Sequence, residues 1–123
     1  MTYALVAIFG AAGAVSRYAL DGWVSDLTHG QFPWGTFVVN LLGAFALGLL
    51  VALTTERLLP HPNWRIALGI GYLGSFTTFS TYAYESVKLA EDGAQGLALL
   101  NSAGMLALGL VAAYAGLALG RTL

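Results

Sequence analysis

The chain has no cysteine, and only 9% of its 123 residues are charged. Without cysteine there can be no disulfide, no thiol catalysis and no thiolate metal site. Because a soluble domain carries about 25% charged residues, this chain lacks the polar surface that keeps a small protein in water. The hydrophobic share of 58% and the mean hydropathy of +0.74 therefore predict a membrane protein. The net charge of −1 argues against nucleic acid as a partner.

Four long stretches contain no charged residue, and each approaches or exceeds the roughly 20 residues that a helix needs to cross a bilayer. They are residues 1–16, 35–55, 66–84 and 93–120. Short links connect them, so the prediction is a single all-α domain, 1–123, with four transmembrane helices. The first stretch lacks the basic segment of a secretory signal and is interpreted as a retained helix.

The basic residues are divided almost evenly between the two sides of the predicted bundle. Arg57, Arg65 and Arg121 fall on the N-terminal side, whereas Arg17 and Lys88 fall on the opposite side. Basic residues in short loops set membrane topology, and a bias of three to two barely sets one. Either the chain inserts both ways up and opposite copies pair about an axis in the membrane plane, or the insertion machinery corrects a weak bias. Glycine in every span would let helices pack closely, within one copy or between copies.

The third span combines glycine with a dense run of hydroxyls. These residues are Gly69, Gly71, Gly74, Thr77, Thr78, Ser80 and Thr81. Irregular, polar-lined backbone at membrane depth occurs where it is buried in protein or faces a hydrated cavity or an ion. We therefore predict a helix break near 74–78, whose freed carbonyls suit Na+ and whose freed N–H groups and hydroxyls suit an anion. The alternative is that the hydroxyls bond back to carbonyls of their own helix.

Asn40 and an aromatic pair are further candidates for an ion path. An amide in the middle of the second span is costly without partners, so Asn40 either forms an interhelical hydrogen bond or binds an anion. Phe79 and Tyr82 are three positions apart and share a helix face. They either pack together or present ring edges, whose hydrogens carry partial positive charge, to a small anion.

Charged residues at the ends of the spans form a second group of candidates. Arg17 is predicted to pair with Asp21 at the membrane interface, and an electropositive vestibule for anions is the alternative. Glu85 and Lys88 are predicted to form a similar exposed pair.

The other polar residues give weaker signals. Asn101 and Ser102 open the polar side of the fourth span, and either could line a path. His29 and His61 lie in predicted loops without a cluster of further ligands, so no metal site is predicted there. No nucleophile, base and orienting group come together in the sequence, which argues against an enzyme.

Three segments occur in an order and spacing typical of one family. Residues 10–18 (GAAGAVSRY) look like its glycine-rich first-span motif, and residues 35–45 (GTFVVNLLGAF) look like its second-span motif. Residues 74–82 (GSFTTFSTY) look like its broken third span. Across nearly its whole length the chain thus resembles the Fluc (CrcB) family of fluoride channels.

The resemblance implies a dual-topology antiparallel homodimer in the cell inner membrane, with two pores through which cytoplasmic fluoride leaves by passive electrodiffusion, reducing its toxicity. It also implies a structural Na+ at the dimer centre, held by the backbone carbonyls of Gly74 and Thr77. The fluoride path would pass Asn40, Phe79, Tyr82, Ser80, Thr81, Thr78 and Ser102. Arg17 matches the family arginine, with a vestibule or structural role.

Two residues depart from the family pattern. The family usually has a second Phe at the position of Tyr82, whose phenol either contacts the ion or turns away from it. It often has Gly at the position of Ser75, and the serine is expected to stiffen the break slightly.

Two other functions compete with this interpretation. A small dual-topology, proton-coupled multidrug exporter also has four spans, but it would need a buried carboxylate deep in the first span, and residues 1–16 contain none. A non-transporting membrane assembly or lipid-contact protein would explain the glycines. It would not explain a glycine-to-hydroxyl break that accompanies Asn40.

Overall fold

The computed structural model describes residues 1–55 and 62–123, and all regular structure in this part of the chain is helical. Its elements are α1 Thr2–Leu27, α2 Trp34–Thr55, α3 Pro62–Trp64, a π-helix Arg65–Leu73, α4 Gly74–Phe76, α5 Phe79–Glu91 and α6 Gln95–Thr122. Among the described residues, three helices are long and apolar enough to cross a membrane: α1, α2 and α6. The predicted all-α membrane architecture is confirmed to this extent.

The first helix is longer than the sequence predicts. The charge-free span 1–16 ends before Arg17, but α1 continues through it for several further turns. A charged side chain does not end a helix, because the backbone hydrogen bonds continue until the chain itself turns. The turn comes at Thr28, which is extended (φ −119°, ψ 139°) and donates both its N–H and its hydroxyl to the Val24 carbonyl. The first link is therefore residues 28–33.

The second and fourth spans lie close to their predicted positions and pack along each other. The contact is between backbones: a Cβ on Gly116 would collide with the Phe45 carbonyl, and a Cβ on Gly48 would collide with the Ala113 carbonyl. Glycine permits such an approach because it carries no side chain. These glycines therefore serve packing within one copy.

The third span is interrupted, as predicted. Residues 62–76 form one helical run, which includes the π-helix and packs on α1, where Gly13 meets the Tyr72 carbonyl. Thr77 (ψ 158°) and Thr78 (φ −147°, ψ 117°) are extended, and the helix resumes as α5. Gly74 itself is helical (φ −61°, ψ −33°). The break therefore begins at Thr77, three residues after Gly74.

Two residues used in the sequence analysis lie outside the described part of the chain. They are Arg57, which enters the orientation count, and His61, which was weighed as a metal ligand. The balance of basic residues between the two sides therefore stays a prediction.

Candidate functional site

Asn40 joins α2 to the break through two hydrogen bonds to a single residue. Its Nδ2 donates to the Thr78 carbonyl at 2.9 Å, and its Oδ1 accepts from the Thr78 N–H at 2.8 Å. This is the interhelical hydrogen bond that the sequence offered as one of two interpretations. Since a primary amide has two N–H donors, one remains for another acceptor. A role of Asn40 on an anion path stays a prediction.

Two backbone hydrogen bonds of a continuous helix are absent around the break. In a continuous helix the Thr78 N–H would donate to the Gly74 carbonyl, four residues earlier, but here it donates to Asn40. The Thr81 N–H would likewise donate to the Thr77 carbonyl, but it donates to the Thr78 hydroxyl oxygen at 3.3 Å. The Gly74 and Thr77 carbonyls have thus each lost their helical donor.

These two carbonyls fit the chemistry of an alkali-metal ion. Carbonyls freed where a membrane helix unwinds are the groups that bind Na+ in transporters. Gly74 as a residue is exposed on the surface of the single copy. Among the described residues no group of three or more His, Asp or Glu side chains could hold a metal ion, but a site built from backbone oxygens does not need one.

One hydroxyl of the run in the third span and one hydroxyl of the predicted path already donate to their own helix. The Thr77 hydroxyl donates to the Leu73 carbonyl at 3.0 Å, and the Ser102 hydroxyl donates to the Ala98 carbonyl at 2.8 Å. For Thr77 the local back-bonding alternative is confirmed. Ser102, for which this alternative was not considered, bonds back to its helix in the same way. Each hydroxyl has one hydrogen, so neither has a donor left for an anion in this arrangement.

The other three hydroxyls differ, because their hydrogens are free. The Thr78 hydroxyl accepts from the Thr81 N–H and caps α5, so its own hydrogen can still be donated. In the described part of the chain, the hydroxyls of Ser80 and Thr81 donate to no protein group. The four hydroxyls in five positions therefore fall into two classes.

Phe79 and Tyr82 share one face at the start of α5, as their spacing predicts. Their ring centroids are 5.7 Å apart and the rings are tilted by 55°. Phe79 is 78% exposed on the single copy. The Tyr82 hydroxyl donates to the Ser102 carbonyl on α6 at 2.5 Å, so the phenol is turned towards the protein.

These features surround an apolar groove of about 460 Å³. It is lined by Asn40, Gly43, Ala44, Leu47, Gly69, Leu73, Gly74, Thr77, Thr78, Phe79, Tyr82, Met105, Leu106, Gly109 and Leu110. The groove brings together six of the predicted site residues. Ser80, Thr81, Ser102 and Arg17 are not in its lining.

Comparison with known proteins identifies the family of this chain. Residues 4–117 match the model of the family described as CrcB-like protein, Camphor Resistance (CrcB). The chain belongs to this family. The predicted membership of the CrcB family is thereby confirmed.

Several relatives match over nearly the full length of both chains, and each is named fluoride-specific ion channel FluC. The protein from Solibacter usitatus is 42% identical over 121 residues, which is 98% of this chain and 99% of the relative. The protein from Geobacter sulfurreducens is 46% identical over 122 residues, or 99% and 98%. The protein from Agrobacterium fabrum is 46% identical over 120 residues, or 98% and 96%.

The predictions of two ion pairs, Arg17 with Asp21 and Glu85 with Lys88, are wrong. Arg17 forms no ion pair with Asp21 in the described part of the chain, where Asp21 instead packs against Gly35 at the start of α2. Lys88 pairs with Asp92 at 3.0 Å and not with Glu85. The spacing permits both partners of Lys88, but only the Asp92 carboxylate lies at the exposed end of α5. The hydrogen bond between Lys88 and the Asp92 carboxylate raises the pKa of Lys88.

A polar contact between α5 and α6 was not predicted from the sequence. Asn101, only 2% exposed, donates to the Ser86 hydroxyl oxygen at 2.9 Å, and Ser86 donates to the Tyr82 carbonyl at 2.9 Å. Ser86 follows Tyr82 by four residues, which is the spacing of a back-bonded serine. That spacing was the available signal, but its partner on α6 was not predictable from it.

Glu85 was also misjudged, because it was expected to be exposed. It is half-buried beside Thr36 in the first turn of α2, and its Oε1 is buried without a hydrogen-bond partner among the described residues. This burial could not be predicted from the sequence, because the approach of α5 to the start of α2 depends on how the break directs the second half of the span.

Proposed function

We propose that this chain is a fluoride-specific ion channel of the cell inner membrane, through which cytoplasmic fluoride leaves passively. The observation that best supports this is the pair of hydrogen bonds between the Asn40 side chain and the Thr78 backbone. These bonds replace helical hydrogen bonds at the break, beside the groove that both residues line. Relatives of 42–46% identity that match nearly the whole chain are named fluoride-specific ion channel FluC. Neither the chemistry nor the family suggests an enzyme.

The groups at the break suit a small anion. Fluoride holds its water tightly, so a path for it must replace that water with hydrogen-bond donors. The second N–H of Asn40 and the Thr78 hydroxyl are free to donate, and ring edges of Phe79 and Tyr82 add partial positive charge. None of these groups is a fixed cation, which suits conduction because an ion must also be able to leave.

The second part of the proposal is an antiparallel homodimer in which opposite copies form two pores. The groove of one copy is open, and Phe79 at its rim is largely exposed. Exposed apolar side chains next to polar groups favour contact with protein as well as with lipid. An inverted second copy packed on this face would cover Phe79 and complete the path.

The third part is a structural Na+ between the two copies. One copy offers the Gly74 and Thr77 carbonyls, which are too few for the shell of a hard cation. A symmetric partner would double the number of oxygens. The ion would hold the two breaks together and would not be transported.

The function is tested by fluoride efflux. Purified protein in liposomes loaded with KF is expected to release fluoride to an external electrode rapidly, once valinomycin lets K+ follow. Protein-free liposomes and liposomes loaded with KCl are the controls. Equal release of both anions would contradict selectivity, and release that needs a proton gradient would favour the multidrug exporter.

The sodium proposal has a separate test that does not involve transport. A ligand that binds only the folded state raises the unfolding midpoint with its concentration. We expect NaCl to raise the midpoint of the detergent-purified protein above that measured in N-methylglucamine chloride of equal ionic strength. Identical midpoints would contradict a bound Na+ and leave the efflux result unaffected.

A further inference from the structure

The two extended residues of the break are attached to one face of α2. Asn40 and Gly43 are three positions apart and lie on the same side of that helix. Asn40 pairs with the backbone of Thr78, and Gly43 meets the side chain of Thr77. The peptide unit that joins Thr77 to Thr78 is therefore held by α2 at both of its residues.

The hydrogen bond to Asn40 fixes the direction of the Thr77 carbonyl. That carbonyl and the Thr78 N–H belong to the same trans peptide unit, which is planar, so the two groups point in opposite directions. Since the Thr78 N–H donates to the Asn40 Oδ1 at 2.8 Å, the Thr77 carbonyl is directed away from Asn40. A rotation of the peptide unit that redirected the carbonyl would also break this hydrogen bond.

The side chain of Thr77 is restrained as well. Its N–H and its hydroxyl both donate to the Leu73 carbonyl, at 3.1 and 3.0 Å. Its methyl carbon Cγ2 occupies space that only a glycine at position 43 leaves open, because a Cβ there would collide with it. Thr77 is therefore fixed at its side chain by Leu73 and Gly43, and at its carbonyl by Asn40.

We propose that Asn40 and Gly43 are positioning residues for the Na+ site: together they hold the peptide between Thr77 and Thr78 so that the Thr77 carbonyl presents its oxygen to the ion. This inference rests on the proposed structural Na+ and gives Asn40 a role separate from the anion path. A group that is fixed before binding loses little conformational freedom when the ligand arrives, so the ligand binds more tightly.

The two roles of Asn40 use different atoms of its amide. The Oδ1 accepts from the Thr78 N–H and so sets the Thr77 carbonyl, whereas Nδ2 keeps one N–H beyond the one given to the Thr78 carbonyl. A carboxylate at position 40 retains an acceptor oxygen but has no N–H. Asn40→Asp should therefore impair the anion path and leave the Thr77 carbonyl in place, whereas Asn40→Leu removes both the acceptor and the donors.

The first test measures how far NaCl raises the unfolding midpoint of the full-length protein in detergent, relative to N-methylglucamine chloride of equal ionic strength. Since one net hydrogen bond corresponds to a factor of about two to ten, we expect the apparent Na+ affinity of Asn40→Leu to fall by that factor. Asn40→Asp is expected to match or exceed the wild-type affinity, because its charge attracts a cation.

The outcomes of this test separate the inference from the proposal on which it rests. Wild-type Na+ affinity in Asn40→Leu, or a loss of affinity in Asn40→Asp, would overturn the inference. The absence of any Na+ effect in the wild type would overturn the proposed Na+ site itself.

A second test changes only the contact with Gly43. Gly43→Ala places a Cβ against the Thr77 methyl group and is expected to weaken the same Na+ effect. Combining it with Thr77→Ser removes that methyl group and keeps the hydroxyl that donates to Leu73, so the double variant is expected to restore the effect. Gly104→Ala, whose Cβ would meet no heavy atom nearer than 3.5 Å, is the control. A wild-type Na+ effect in Gly43→Ala, or no recovery in the double variant, would overturn the inference.

Discussion

At the residue scale, the amide of Asn40 has two donors and an oxygen acceptor, and Thr78 occupies one donor and the acceptor. Asn40 therefore has two roles, and truncating its side chain would abolish both at once. It shapes the backbone of the break, and it keeps one N–H for an ion. A test has to replace the donors while retaining the size of the side chain.

Asn40→Asp makes this replacement. The carboxylate cannot donate to the Thr78 carbonyl and adds a negative charge where fluoride would pass, so we expect fluoride efflux to fall about 100-fold or more. Efflux from liposomes at equal protein density is the measurement. Gln95→Glu, the same change at an exposed residue, is the control, and wild-type efflux from Asn40→Asp would remove Asn40 from the path.

The sequence predicted which residue types meet at this site, because amides, hydroxyls and aromatic rings are costly or unusual at such positions. It could not predict which hydroxyls are free to donate. Thr77 and Thr78 are neighbours of the same type, yet one donates to Leu73 and the other accepts from Thr81. That difference comes from their backbone angles, and these depend on Asn40 of another helix.

At the element scale, the break is stabilised on its far side by a helix cap. Thr78 is extended, and its hydroxyl accepts from the Thr81 N–H. Thr78→Val keeps the shape but removes the cap, which typically costs about 0.5–2 kcal/mol. We expect a lower thermal midpoint by circular dichroism, with Thr122→Val at the exposed end of α6 as the control. Equal midpoints for Thr78→Val and the wild type would argue against a capped α5.

The contact of α2 with α6 gives an independent prediction. A Cβ at position 116 would meet the Phe45 carbonyl, and overpacking of this kind costs about 1–3 kcal/mol. Gly116→Ala is therefore expected to lower the unfolding midpoint in detergent. At Gly22 a Cβ meets nothing within 4 Å, so Gly22→Ala should retain or raise it, since alanine favours a helix. The reverse order of the two midpoints would contradict the packing.

The limits of a helix could be predicted where the apolar stretch and the helical backbone begin and end at nearly the same residues. α2 and α6 lie within about two residues of their expected limits, consistent with the usual uncertainty of element boundaries. For α1 the two signals differ, because hydropathy changes at Arg17 but the helix continues to Leu27. The interrupted span was predictable because glycine and hydroxyl residues are unusual in a plain membrane helix.

At the scale of the whole molecule, the near balance of basic residues and the open groove both favour paired copies of opposite orientation. The chain has no cysteine, so Gly96→Cys provides a single thiol at an exposed site with nothing within 4 Å. If the chain inserts both ways, a membrane-impermeant maleimide added outside intact cells should label roughly half of the protein. Complete labelling or none would contradict dual topology.

The central claim is that fluoride, and not chloride, crosses the membrane through this chain. The most direct measurement is the reversal potential in a planar bilayer with KF and KCl on both sides at equal total K+, arranged so that the fluoride and chloride gradients point in opposite directions. We expect a current that reverses near the fluoride equilibrium potential. Reversal near the chloride or potassium potential, or no current that depends on the protein, would contradict it.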